Sequence, residues 1–86
     1  MCLGIPAQVT AVESGHPDLV HVEMAGAARL VNIGVLDGPR PPQVGEWVLV
    51  HMGFALSIIS EQEARDALGA YDHERAAFAA LLEEEA

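Results

Sequence analysis

Five short apolar runs, each closed by turn-forming residues, occupy about half of the first 59 positions of the chain. They lie at about residues 8–12, 19–24, 28–33, 47–52 and 54–59. None is long enough to bury a helical face, and most are rich in β-branched or aromatic residues. Strands recurring at roughly 8- to 12-residue intervals predict a small closed sheet, a five-stranded barrel of OB-like character.

The runs differ in how clearly they report their facing. In 19–24, Val20, Val22 and Met24 alternate with His21 and Glu23, the pattern of a half-buried strand. Ala25-Gly26-Ala27 suits a tight connection to the next run, whose alternation is weaker. The run from Trp47 to Met52 is apolar on both faces until His51, which places it at the centre of a closed or covered sheet. Gly53 separates it from the fifth run. Between the third and fourth runs, Leu36-Asp37-Gly38-Pro39-Arg40-Pro41-Pro42 reads as an exposed loop, because three prolines remove ladder donors and prevent helix.

The character of the chain changes at Ser60. Ser60-Glu61-Gln62-Glu63 has the form of a capping box, in which hydroxyl and carboxylate each take the other residue's backbone N–H. Ala64, Ala67, Leu68 and Tyr71 come next, on one helical stripe. Gly69 predicts a break or bend near Ala70, Asp72 can cap a second segment, and Glu83-Glu84-Glu85 is expected to fray against the helix dipole. The expectation is one domain over residues 1–86: a barrel over about 1–59, then a helical region over about 60–83.

Charge excludes some function classes. Thirteen acids against four arginines give a net charge of −9, which opposes polyanion binding. No apolar run reaches the roughly 18 residues of a membrane span, and the N-terminus lacks the basic region of a signal peptide. A single cysteine permits no intramolecular disulfide, so a cytoplasmic protein is expected.

That cysteine is Cys2, in Met1-Cys2-Leu3-Gly4-Ile5-Pro6. Removal of the initiator methionine would put a thiol and a free α-amine on one residue, both with ordinary pKa values of roughly 8 to 8.5. The thiolate is a soft ligand, suited to iron, copper(I) or zinc. Among the histidines, His16 sits in a turn, His21 on a polar strand face and His73 at a helix start, all ordinary surface settings. His51 ends the most hydrophobic run and precedes Gly53, where backbone can turn sharply. By itself it reads first as a buried histidine satisfied by a carbonyl. Beside an unpaired Cys2 it becomes the second half of a candidate pair. Two or three ligand atoms fall short of a structural zinc site, which takes four. A site so incomplete suits transfer of a metal group, or sharing across an interface. No nucleophile–base–orienter triad and no phosphate loop is recognisable.

The start MCLGIPAQV, the segment VGEWVLVHMGFALSII and the adjoining SEQEA resemble the HypC/HupF family of nickel–iron hydrogenase maturation chaperones. The likeness runs from Met1 to about Leu68. It implies a small OB-like β-barrel with a C-terminal helix, and a protein that is not an enzyme. It also implies assembly of an Fe(CN)2CO group with a HypD-like iron–sulfur protein, cyanide coming from HypE and HypF proteins. Delivery is to the precursor of the hydrogenase large subunit. By the same resemblance Cys2 contacts iron and both partners, and His51 is a second iron ligand or shapes the site. Pro6, Gly53 and Phe54 match positions that form the partner-binding surface around the cysteine. The alternative of another class is an OB-type single-strand nucleic-acid binder. It requires a basic groove with stacking aromatics, and the net charge is of the wrong sign.

Overall fold

Strands β1 (Ile5–Ala11), β2 (Leu19–Met24), β3 (Ala27–Asn32), β4 (Trp47–His51) and β5 (Phe54–Ile59) close into a barrel. The computed structural model describes residues 4–36, 38 and 40–69. The strand order around the barrel is β1-β2-β3-β5-β4, with every neighbouring pair antiparallel except β3–β5. This is the five-stranded, OB-compatible architecture that the run spacing predicts.

A barrel of five strands has a narrow interior, and the sequence fills it with small side chains. Ala7, Val9, Val20, Val22, Val31, Val48, Val50 and Ala55 form the core, all 3% exposed or less. Each buried valine contributes about 1.5 kcal/mol or more. The alternation expected in β2 holds, with Val20 and Val22 inside and Glu23 outside. The less readable third run is also resolved: Val31 points inward.

Two hairpins share one turn geometry. Ala25 and Gly26 have φ of 52° and 81°, and Met52 and Gly53 have φ of 53° and 85°. Met24 pairs with Ala27, and His51 with Phe54, so each loop has two residues. Positive φ at both central positions is the type I′ pattern, whose twist matches that of the flanking strands.

Three strands have bounds that differ from the sequence reading. β1 begins at Ile5 rather than at residue 8 and so contains Pro6. Proline is tolerated there because Val9, three residues on, directs its N–H and C=O toward the Glu46 and Gly45 backbone of the β4 side. Alternation therefore turns the Pro6 nitrogen away from β4, and the β2 register reaches only to Gln8. β3 starts and ends one residue earlier, because Ala27 closes the hairpin and Ile33 donates its N–H to the Asp18 carbonyl at 2.8 Å. β4 ends at His51, since Met52 is in the turn.

The proline segment is irregular as expected, yet Pro42 is fully buried. Gly45 and Glu46, just beyond it, are stapled to β1. The Gly45 N–H donates to Val9 O at 2.8 Å, and the Val9 N–H to Glu46 O at 2.9 Å. The Arg40 guanidinium grips the Glu46 carboxylate with two nitrogens, one at 2.6 Å. This fork, with the Gln43 N–H, lowers the Glu46 pKa to about 2.

Residues 61–69 are helical. The capping box forms: Glu63 N–H donates to Ser60 Oγ and Ser60 N–H to Glu63 Oε1, both at 3.0 Å. Ala64 is completely buried, with Ala67 and Leu68 half-buried on the same stripe. Gly69 is still helical; the expected bend at Ala70, the second segment and the acidic tail lie outside the described residues. Among the described residues, no helix is long and apolar enough to cross a membrane.

Candidate functional site

Of the site residues expected from sequence, His51, Gly53 and Phe54 lie together at one end of β4. His51 is the last residue of that strand, half-buried, and lies directly opposite Phe54 across the β4–β5 hairpin. The turn between them leaves Met52 83% exposed and Phe54 42% exposed. The Gly53 carbonyl accepts the Asn32 N–H at 2.9 Å, which ties the turn to the end of β3. Asn32 itself pairs with Phe54 in the short parallel β3–β5 contact. A strand-end histidine, an exposed thioether and a half-exposed phenyl ring are thus carried on a hairpin anchored from both sides.

The N-terminal segment arrives at the same end. Ile5 pairs with Val50 and Pro6 with Leu49, so one further step of the register sets Gly4 opposite His51. Gly4 has φ of 116°, and a Cβ there would lie 2.9 Å from the Val50 carbonyl oxygen and 3.1 Å from Leu49 Cγ. Only glycine lets the chain approach β4 this closely. Cys2 lies outside the described residues, two positions before Gly4.

Pro6 is buried within β1, beside Leu49 rather than at the exposed tip. His16 is exposed in the β1–β2 turn and its Nδ1 accepts the Asp18 N–H at 3.1 Å. His21 is on the outer face of β2 opposite Leu30, and His73 lies outside the described residues. Among the described residues, no three His, Cys, Asp or Glu side chains group as a metal cluster. Sequence reasoning does not single out Gly4 or Asn32. A glycine just after Leu3 is a visible signal, but its reason is a close approach to a strand more than forty residues away.

A buried donor stands near this wall of the barrel. Trp47 Nε1 is inaccessible and has no hydrogen-bond partner among the described residues. An unsatisfied group of this kind costs about 1–3 kcal/mol.

The family model described as the HupF/HypC family matches residues 1–71, which include the N-terminal segment, all five strands and the helical residues 61–69. The chain belongs to the HupF/HypC family. The chain is 48% identical over 71 residues to hydrogenase maturation factor HybG of Escherichia coli (strain K12), covering 81% of this chain and 87% of that protein. It is 42% identical over 73 residues to hydrogenase maturation factor HypC of the same strain, covering 81% and 78%. The Frd operon uncharacterized protein C of Proteus vulgaris is 48% identical over 71 residues, covering 81% and 74%. These matches carry no functional geometry of their own. They bear on the hairpin end only through the sequence that builds it.

Proposed function

We propose that this chain is a hydrogenase maturation chaperone that holds an Fe(CN)2CO group as cargo. It shares the group with a HypD-like iron–sulfur protein and passes it to the large-subunit precursor of a nickel–iron hydrogenase. The reading draws on the relatives named hydrogenase maturation factor and on the family match over residues 1–71. The observation that carries it further is the seating of Gly4 against Val50, which brings the N-terminal segment to the His51 end of β4. Cys2 precedes Gly4 by two residues in the sequence, and the proposed role has its thiol act at this strand end.

The chemistry rests on ligand type and count. The Cys2 thiolate is a soft donor with affinity for iron, and the His51 imidazole is a second donor or a wall of the site. One or two protein ligands leave most of the coordination sphere to the cargo's own diatomic ligands and to a partner. Such a holder releases its load when a better-furnished site docks. The exposed Met52 and Phe54 supply apolar contact beside the transfer point, with Gly53 setting their turn and Pro6 supporting the strand behind. The proposed role is that of a cargo holder and is non-enzymatic.

Infrared spectroscopy of the chain co-purified with its iron–sulfur partner tests this directly. Bands of metal-bound CN and CO are expected with the natural chain and absent with Cys2→Ala. Full hydrogenase maturation by a Cys2→Ala chain acting alone would sink the reading. The nucleic-acid alternative gains no support: two of the three described arginines, Arg40 and Arg65, are already paired with Glu46 and Glu61.

A further inference from the structure

Along most of β3, the backbone edge away from β2 is unpaired among the described residues. β3 touches β5 only where Asn32 pairs with Phe54. Upstream of that contact, Ala28, Arg29 and Leu30 are all exposed, three in a row in a strand where alternation would bury every second residue. Leu30 is 50% exposed.

Two independent features show which backbone groups face outward. The two-residue turn makes Met24–Ala27 the hydrogen-bonded closing pair, so Val22–Arg29 and Val20–Val31 are hydrogen-bonded and the pairs between them are not. From the other end, the Asn32 N–H goes to Gly53 O, away from β2. Leu30 and Ala28, two and four residues before Asn32, share its backbone orientation. Both routes leave the N–H and C=O of Ala28 and Leu30 directed at the open edge, and no described residue pairs with them. Arg29, between them, has its side chain on the opposite pleat face from Leu30. Of the described arginines it alone lacks an ion pair.

We propose that this edge receives an extended segment of a partner protein, added as a strand beside β3, with an apolar–acidic–apolar pattern. Main-chain bonds to Ala28 and Leu30 supply the attachment, as in other strand-addition interfaces. The acidic residue sits opposite Arg29, and the apolar residues flank it on the Leu30 face. A second copy of this chain fits poorly. Antiparallel pairing of two β3 edges centred on Arg29 sets like charges side by side, which is unfavourable. The inference rests on the fold and is independent of the iron-carrier reading.

The test is a nuclear magnetic resonance titration of the full isotope-labelled chain with the peptide acetyl-Thr-Ile-Glu-Val-Thr-amide. The expected result is amide shifts centred on Ala28 and Leu30 and slowed hydrogen exchange at both. Replacing the peptide's Glu by Lys should weaken binding about threefold, from the cross-strand charge pair. Ala28→Pro removes an outward N–H without touching the β2 ladder, and should weaken binding about tenfold, the worth of one backbone hydrogen bond. Should Ala28→Pro misfold, Arg29→Glu serves instead, and is expected to reverse the preference toward the Lys peptide. No shift at millimolar peptide, shifts centred elsewhere, or indifference to Arg29→Glu would overturn the proposal. So would concentration-dependent shifts of the Ala28 and Leu30 amides without peptide, which would mark self-pairing.

Discussion

Gly4 and Val50 approach so closely that a single added carbon on Gly4 would lie 2.9 Å from the Val50 carbonyl oxygen. With φ at 116°, the position is also outside the backbone region that other residues adopt readily. Gly4→Ala is therefore expected to destabilise the fold by about 2 kcal/mol, through strain and the clash with backbone together. Urea unfolding measures this. If Gly4 serves to deliver the N-terminal segment, partner binding should fall by more than the loss of stability explains.

Met52 sits in a turn position that favours asparagine or glycine, and is 83% exposed. Met52→Gly should leave stability unchanged or raise it, by up to about 1 kcal/mol. A chain that becomes more stable but binds its partner less well would identify Met52 as a contact residue kept at the expense of the turn. A fall in stability would show that its side chain packs in the free protein.

The Arg40–Glu46 fork gives a pH dependence with a defined sign. Glu46 is depressed to about 2, first by its hydrogen bond from Arg40 and then by the Gln43 N–H. A carboxylate with a lowered folded-state pKa contributes its stabilisation fully above the unfolded value of roughly 4.5, and loses it as pH falls toward 2. Arg40 is exposed and Glu46 partly so, so the effect should be small and reduced by salt. Comparing urea midpoints between pH 5 and pH 2 for the natural chain and Glu46→Gln isolates it. Equal slopes would remove the fork from the acid response.

Ser60→Ala takes away the acceptor for the Glu63 N–H and should cost about 1 kcal/mol. The reciprocal bond from Ser60 N–H, which helps hold the Glu63 carboxyl below its ordinary pKa, survives the substitution. Helical circular dichroism and thermal unfolding together check the change. Unchanged unfolding would mean that the helix is held by Ala64 packing rather than by its cap.

Trp47→Phe removes a buried donor that has no acceptor among the described residues, so the usual loss on shortening a large side chain should be nearly cancelled. The expected change in stability is under about 1 kcal/mol. A much larger loss would show that the indole nitrogen is satisfied in solution.

Most of the architecture is legible in the residues because it rests on local rules. Period-two alternation in β2, glycine at the second position of both hairpin turns and the Ser60–Glu63 box act within a few residues of themselves. Each is present in the structure at the positions the residues indicate. The boundaries of β1 and the burial of Pro42 are not legible, since both depend on what lies alongside. Pro6 enters a strand because its nitrogen faces away from β4. Pro42 is buried within a loop whose sequence alone suggests exposure.

The candidate site divides the same way. Residue identity sets the chemistry on offer: one thiol at Cys2, one histidine ending the WVLVH strand, too few ligands for a self-contained centre, and motifs that point to a family. The arrangement of these groups comes from the folded barrel. The β1–β4 register turns Gly4 toward His51, Asn32 anchors the hairpin tip, and the short β3–β5 contact leaves the Ala28–Leu30 edge without a partner among the described residues. The physical reason is that strand register and barrel closure are set by pairings between distant segments. Local composition carries no direct record of them.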